Sequence, residues 1–149
     1  SAIYEQLYST DDITRIDLNI YLASLIESLV KTYSINEDII LVTSIKEGSY
    51  IDLKRSVLIG LIFNELITNS LKYAYPLNGK GTINAGFCIE NGIASIYVKD
   101  EGVGIPADYS IDTAKSLGLK LVKMLSEQLE GKLVINSEGG TYVNIKFAL

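Results

Sequence analysis

Three polar side chains with complementary chemistry stand at helical intervals in the middle of the chain. Glu65, Asn69 and Lys72 occupy positions i, i+4 and i+7 in the stretch LIFNELITNSLKYAYP, and an α-helix would place them in one row. A carboxylate, an amide oxygen and an ammonium suit a phosphate ester with its divalent cation, because the oxygens bind the metal and the lysine binds anionic oxygens. A solvated helix face with a polar network fits the same spacing.

A second group of candidate residues follows a strand-like run of alternating residues. The run ends in Asp100, and Gly102 and Gly104 come just after it. A strand-end carboxylate can accept a hydrogen bond from an exocyclic amine, and glycines let the backbone pass close to a flat ring. A glycine turn with a capping aspartate is the plainer interpretation. Further on, Gly118 in SLGL could admit a ligand to the N–H groups of a helix start, or could simply begin a helix.

Composition limits the kinds of site that the chain can build. Its 149 residues contain no histidine, which excludes histidine metal ligands, Ser-His-Asp triads and histidine bases. The net charge of -5, with both signs interspersed, argues against a nucleic-acid partner. The single Cys88 indicates a reducing compartment, and no apolar run is long enough to cross a bilayer. We therefore expect a cytoplasmic domain without direct membrane contact.

Three helices are predicted from hydrophobic periodicity. They cover 18–33, 54–75 and 117–129, with Asp17 capping the start of the first and Gly131 capping the end of the last. The middle helix carries the polar row on one side and an apolar arc on the other. The arc consists of Ile59, Phe63, Leu66, Ile67, Leu71 and Ala74.

The strands are predicted mostly as hairpins. An edge strand at 14–17 precedes hairpins over 38–53, 81–99 and 132–148, which turn at 46–48, 91–92 and 138–140. The segment from about 105 to 116 has neither period and is expected to be a loop. Since the strands do not alternate with helices, the fold class is predicted as α+β: a two-layer α/β sandwich with a mixed, mainly antiparallel sheet and three main helices.

Four segments in order resemble the motifs of a known superfamily. NELITNSLKYA, DEGVGIP, SLGLKLV and GGTYVNIKF resemble the N, G1 and G2 boxes and the closing strand of the GHKL ATPases, which include gyrase, Hsp90, MutL and the histidine kinases. The likeness is greatest to the catalytic ATP-binding domain of sensor histidine kinases of the HisKA_2 type. It implies the Bergerat fold, a histidine kinase-like ATPase domain over 13–149, and a remnant of an upstream dimerisation and phosphoacceptor helix at 1–12.

The resemblance also implies a role for each matched residue of the N box. Asn69 would coordinate Mg2+, and Glu65 matches the acidic residue that acts as general base in gyrase-like relatives. Lys72 would contact the phosphates of ATP, and Tyr73 would lie beside the adenine. Glu65 and Asn69 are therefore the implied catalytic residues.

In the other boxes, Asp100 matches the aspartate that accepts a hydrogen bond from the adenine amine. Gly118 matches the glycine at the helix N-terminus that meets the phosphates. Thr141 matches the polar residue beneath the adenine. The implied nucleotide-binding set also contains Gly102, Gly104, Ile105, Ser116, Leu117 and Leu119. The sequence departs from the family pattern at Ser116, where a glycine is usual. It also has no recognisable phenylalanine box between Gly104 and Ser116.

The implied function is transfer of the ATP γ-phosphate to a histidine outside this chain. The implied partners are ATP with Mg2+, an upstream dimerisation and phosphoacceptor domain, and the receiver domain of a response regulator, with a homodimeric full-length protein. Two other readings remain open. One is a GHKL serine kinase of the anti-sigma type or an ATPase module, and the other is a non-catalytic nucleotide-binding sensor or scaffold.

Overall fold

The computed structural model describes residues 14–33, 38–75, 79–105 and 117–149. Three α-helices lie in these ranges: α1 (Leu18–Tyr33), α2 (Leu53–Asn69) and α3 (Leu117–Gln128). One turn of π-helix, Ser70–Ala74, continues α2. The strands are β1 (Arg15–Asp17), β2 (Ile39–Ile45), β3 (Tyr50–Asp52), β4 (Gly81–Glu90), β5 (Ile93–Asp100), β6 (Lys132–Asn136) and β7 (Tyr142–Ala148). The predicted α+β class and the three helices are confirmed.

The main sheet has five strands in the order β2-β4-β5-β7-β6. Only β2 runs parallel to its neighbour, β4, and the other pairs are antiparallel. A separate two-stranded antiparallel sheet pairs β1 with β3. The predicted sheet, mixed and mainly antiparallel, is therefore confirmed.

The hairpin predicted over 38–53 is wrong, because β2 and β3 do not pair with each other. After the turn at 46–48, the backbone of Ser49 accepts a hydrogen bond from Leu18 N (2.9 Å), and Ile51 pairs with Ile16 of β1. Ile51 is only 2% exposed. Burial of this side chain beside the first two helices carries the segment away from β2, which pairs with β4 instead.

The core lies between one face of the main sheet and the helices. Alternate residues of the three central strands are buried: Ile83, Ala85 and Phe87 of β4, Ala94, Ile96 and Val98 of β5, and Val143, Ile145 and Phe147 of β7. The predicted apolar arc of α2 is also buried, and Ile59, Phe63 and Ile67 are fully enclosed. Because α2 packs between α1 and α3, its ends are held firmly relative to the sheet.

Local sequence signals set most helix and strand ends. Asp17 caps α1 as predicted, since its carboxylate accepts from Asn19 N (3.0 Å). The turn between β4 and β5 has positive φ at both Asn91 and Gly92 (52° and 77°), which is the geometry expected of a tight hairpin. The predicted hairpin of β6 with β7 is confirmed as well.

The end of α3 differs from the prediction by one residue. The left-handed residue that ends the helix is Glu130 (φ 56°), and Gly131 N donates to Ser126 O (2.8 Å) one position later, as in a Schellman motif. Gly131 is needed for space rather than for its φ. A Cβ there would lie 3.0 Å from the Ile145 side chain and 3.2 Å from Lys146 O of β7.

Several predictions fall outside the described residues. The predicted helix remnant at 1–12, Ser116 and nearly all of the loop before it belong to this group. None of the helices within the described ranges is long and apolar enough to span a membrane.

Candidate active site

A cavity of about 570 Å³ opens where the π-helical turn, the end of β5 and the start of α3 meet. Its volume lies within the range usual for small-molecule sites, about 300 to 1,000 Å³. The described residues that line it are Leu66, Asn69, Ser70, Tyr73, Ala74, Val98, Asp100, Val103, Gly104, Ile105, Leu117, Gly118, Leu119, Thr141 and Val143. Most of this wall is apolar. We call the part around the buried Asp100 the inner end of the cavity and the part around Asn69 and Gly118 the outer end.

Asp100 provides the polar group at the inner end of the cavity. Its side chain is only 3% exposed and accepts three hydrogen bonds: Oδ1 from Gly102 N (3.0 Å) and from Thr141 N (3.1 Å), and Oδ2 from Ser70 Oγ (2.8 Å). An ionised carboxylate can accept about four hydrogen bonds. One acceptor position, on Oδ2, is thus left for a donor inside the cavity.

The two predicted glycines after Asp100 are required by close backbone packing. Val103 N donates to Ala74 O (3.0 Å), and a Cβ at Gly102 would collide with that same carbonyl oxygen. Gly104 has φ 73°, and a Cβ on it would lie 2.9 Å from Ser137 O. The segment after β5 is therefore wedged between the π-helical turn and the β6–β7 connection.

Ser70 is a site residue that the sequence reasoning missed. It begins the π-helical turn, is 7% exposed, and donates to Asp100 across 30 positions of sequence. A signal was present, because Ser70 falls at helical spacing from Phe63, Leu66 and Ala74 on the apolar arc. A polar residue on a buried face needs a partner.

The opposite end of the cavity is formed by α2 and the first turn of α3. A Cβ on Gly118 would lie 3.0 Å from Asn69 Nδ2 and 3.0 Å from Glu65 Oε2. The absence of a side chain at Gly118 therefore lets the N-terminus of α3 approach both polar side chains. Asn69 lines the cavity, whereas the half-buried Glu65 lies just outside its lining.

Lys72 takes a direction that an unbroken α-helix would not give it. Asn69 is the last α-helical residue, and the wider hydrogen bonding of the π-helical turn alters the angular spacing beyond it. Lys72 is exposed and does not line the cavity. Its Nζ lies 4.9 Å from the ring centroid of Tyr33. Of the predicted row, Glu65 and Asn69 both lie beside Gly118, whereas the Lys72 ammonium lies over the Tyr33 ring.

The predicted site residues fall into those that line the cavity and those that do not. Those that line the cavity are Asn69, Tyr73, Asp100, Gly104, Ile105, Leu117, Gly118, Leu119 and Thr141. Gly102, Glu65 and Lys72 border it without lining it. Besides Ser70, the sequence reasoning missed the apolar walls Leu66, Ala74, Val98, Val103 and Val143, which it had treated only as core or had not assigned.

The donor chemistry at the Asn69 end consists of hard oxygens. In the described part of the chain no group of three or more His, Cys, Asp or Glu could hold a metal ion. A carboxylate and an amide oxygen together suit Mg2+ only when phosphate oxygens complete its shell, which is the usual way proteins bind this ion. The donor set therefore fits a magnesium ion that arrives with a phosphate ligand.

Comparison with known proteins identifies the family of the chain. The family model for the histidine kinase-, DNA gyrase B-, and HSP90-like ATPases matches residues 55–149. The chain is 32% identical over 93 residues to blue-light-activated histidine kinase 2 of Erythrobacter litoralis, which covers 61% of this chain and 27% of that protein. It is 28% identical over 100 residues to sensor histidine kinase PdtaS of Mycobacterium tuberculosis, covering 64% and 20%. The chain thus spans about a quarter of these relatives.

Solved structures show the same fold. The histidine kinase domain of the Erythrobacter litoralis EL346 blue-light activated histidine kinase superposes with a TM-score of 0.84 at 26% identity, over 94% of this chain and 64% of that one. Histidine kinase AdeS of Acinetobacter baumannii gives a TM-score of 0.71 at 18% identity, over 91% and 66%. With the family model covering most of its length, the chain belongs to the histidine kinase-, DNA gyrase B- and HSP90-like ATPase family.

Proposed function

We propose that the chain is the ATP-binding catalytic domain of a sensor histidine kinase, of the HisKA_2 type, and that it transfers the ATP γ-phosphate to a histidine outside this chain. The observation that carries the proposal is the polarity of the cavity. A buried carboxylate, Asp100, lines the same cavity as Asn69 and Gly118, which lie where α2 meets the start of α3. The histidine kinases among its relatives support the choice of reaction.

The inner end of the cavity suits adenine. Val98 and Val143 supply apolar walls for a flat ring, and the remaining acceptor position of Asp100 suits an exocyclic amine. Three hydrogen bonds from the protein keep this carboxylate oriented, so little reorganisation is required on binding. Guanine carries a carbonyl oxygen where adenine carries its amine. This oxygen and the Asp100 carboxylate are both acceptors and would not form a hydrogen bond, which favours ATP over GTP.

The outer end suits the phosphates. The N-terminus of α3 carries a partial positive charge and backbone N–H groups that have no acceptor within the helix. Gly118 leaves room for a ligand to approach them. Lys72 lies one turn beyond Asn69 and would add a full positive charge.

Asn69 would hold Mg2+ through its amide oxygen, with Glu65 beside it. The bound ion would neutralise charge on the phosphate oxygens. Glu65 would orient the incoming imidazole by its N–H and accept the proton that the imidazole loses on phosphorylation. Phosphoryl transfer depends mainly on positioning and electrostatic stabilisation. In this proposal these few groups, held on rigid helices, supply both.

The absence of histidine from the chain defines the partners of this reaction. The phosphoacceptor would belong to a dimerisation and phosphoacceptor domain upstream of 13–149, with the segment 1–12 as its last part. A receiver domain would take the phosphate in turn. In this proposal the full-length protein is a homodimer, and the domain works in the cytoplasm.

The test is phosphate transfer from γ-labelled ATP. The chain is incubated alone and with a longer form of the protein that includes upstream helices but carries Asn69→Ala, so that only the added chain can be the kinase. We expect acid-labile, base-stable label on the longer form and none on the chain alone. A matched longer form with its upstream histidines replaced by glutamine is the control.

Other outcomes separate the competing functions. Label on serine would support a serine kinase of the anti-sigma type. No label on any protein, despite tight ATP binding, would support a sensor or scaffold module.

A further inference from the structure

Tyr33 and Lys72 form a contact that the family motifs do not include. Tyr33 is the last residue of α1, is half-buried, and packs against the core. The Lys72 ammonium lies over its ring, 4.9 Å from the centroid, within the distance of about 6 Å at which cation–π attraction is effective. The end of α1 thus contacts the π-helical turn through one charged side chain, in addition to the packing of α1 on α2.

The ring is the partner that the structure provides for this ammonium. No acidic residue of the described ranges forms an ion pair with Lys72. A lysine side chain free in solvent loses much rotamer freedom when it binds a ligand. Contact with Tyr33 removes part of that freedom in advance, because the ring belongs to a packed helix end.

The location of Lys72 connects this contact to the cavity. Asn69 and Tyr73, before and after it in the chain, both line the cavity, so the Lys72 side chain starts next to lining residues while its ammonium lies over the Tyr33 ring. An ammonium has three N–H donors. The Tyr33 ring engages one side of the group and leaves donors that can meet anionic oxygens.

We propose that Tyr33 is a positioning residue for phosphate binding: its ring holds the Lys72 ammonium at the phosphate end of the cavity. This inference rests on the proposed function, since it takes Lys72 as a phosphate contact. Tyr33 itself does not line the cavity. Its effect must therefore depend on the phosphates of the ligand and on the presence of Lys72.

Titration calorimetry with ATP and with adenosine tests whether the effect of Tyr33 requires the phosphates of the ligand and the presence of Lys72. We expect Tyr33→Leu to weaken ATP binding about two- to fivefold, as the loss of an exposed cation–π contact implies, and to leave adenosine binding unchanged. Tyr33→Phe keeps the ring and should bind ATP like the parent. In a Lys72→Ala background, Tyr33→Leu should have no further effect.

Tyr50→Leu is the matched control, because Tyr50 is 51% exposed on β3 and does not line the cavity. The Tyr50→Leu variant should change neither the affinity for ATP nor the affinity for adenosine. Equal losses for ATP and adenosine in Tyr33→Leu, or a loss that persists without Lys72, would mean a merely structural role and would overturn the inference. Tighter ATP binding would overturn it as well, since the ring would then be holding Lys72 away from the phosphates.

A measurement on the parent protein keeps the inference testable if Tyr33→Leu does not fold. The Lys72 Cε protons should show an upfield ring-current shift in the NMR spectrum, and this shift should persist when ATP is added. Its absence, or its disappearance on binding ATP, would contradict the inference. Failure of the parent to bind ATP would overturn the proposed function. An unchanged ATP affinity in Lys72→Ala alone, with ATP still bound by the parent, would overturn only the role of Tyr33.

Discussion

In the proposed function, Asp100 is the residue that recognises the adenine amine at the inner end of the cavity. It is almost fully buried, and three protein donors already occupy its oxygens. An amide at this position would turn one oxygen into an NH2 group and would oppose either a protein N–H or the ligand amine. The charge and the acceptor-only character of the side chain are both needed here.

Asp100→Asn should therefore weaken ATP binding by about 1 to 3 kcal/mol, the usual effect of leaving a buried hydrogen-bonding group without its partner. Titration calorimetry on the folded variant measures this change. Glu101→Gln is the matched control, because it makes the same chemical change one residue later on an exposed side chain. An unchanged affinity in Asp100→Asn would refute the assignment of the adenine end.

Asn69 is the residue on which the proposed magnesium ion depends. Nucleotide affinity should rise with Mg2+ in the parent and respond much less in Asn69→Ala, because the ion loses a protein ligand. Titrations with and without a chelator measure the difference. Asn84→Ala, on a strand outside the cavity lining, should keep the dependence of the parent. An equal Mg2+ response in Asn69→Ala and the parent would contradict the role.

At the scale of elements, the change from α-helix to π-helix after Asn69 shapes the site most. It places Ser70 against Asp100, allows Ala74 O to accept from Val103 N, and turns Lys72 toward Tyr33. Such π-helical turns frequently occur at functional sites. Here the turn connects the α2 wall of the cavity to the segment that follows β5.

The start of α2 is secured by Asp52, which caps the helix by accepting from Arg55 N (3.2 Å). Burial raises the pKa of the Asp52 carboxyl, but hydrogen bonds from the Arg55 side chain and backbone, together with the Arg55 charge, outweigh this and hold the pKa below its ordinary value. Because the pKa is lower in the folded state, the carboxylate stabilises the fold above its unfolded-state pKa. This stabilisation is lost as the pH falls through the folded-state pKa.

Asp52→Ala should lower the free energy of unfolding by about 1 kcal/mol at pH 7, as expected for the loss of an N-cap. The difference from the parent should shrink when urea denaturation is repeated at successively lower pH below 3.8, the ordinary pKa of an aspartate, because the carboxylate is then progressively protonated in the folded state. Glu47→Ala, in the exposed turn before β3, serves as the control and should change stability little at any of these pH values. A difference that grows at low pH would contradict the sign of the pKa shift.

At the scale of the whole molecule, ligand binding should stabilise the fold. The cavity is built from segments that come together only when the helical layer packs on the sheet, so the ligand binds the folded chain and not the unfolded one. A ligand at one hundred times its dissociation constant adds about 2.7 kcal/mol, and for a domain of this size that raises Tm by about 5 to 10 °C.

Thermal unfolding with Mg2+ and ATP should show this rise, whereas GTP at the same concentration should not, because guanine places its O6 acceptor where adenine places the amine that donates to Asp100. The Asp100→Asn variant should lose most of the ATP effect. An equal rise in Tm with GTP would mean that binding depends on the phosphates alone, and the adenine pocket would then be assigned wrongly.

The sequence by itself determined the elements that depend on near neighbours. The 3.6-residue spacing of apolar residues predicted α1, α2 and α3, and Asn91-Gly92 predicted the β4–β5 hairpin, because each is stabilised by hydrogen bonds and side chains a few residues apart. The four ordered motifs also predicted the ATPase family that the family model matches. Of the cavity lining they predicted the residues of the two polar ends, apart from Ser70.

Only the tertiary structure decided features that depend on contacts between distant segments. The parallel pairing of β2 with β4 replaced a predicted hairpin, because burial of Ile51 decided where the chain went after the turn. Ser70 became a partner of Asp100, and Lys72 came to lie over Tyr33. These contacts join residues about 30 to 40 positions apart, and local periodicity carries no information about which such pairs meet. Which of these distant residues meet depends on how α2 packs between its neighbouring helices and the sheet.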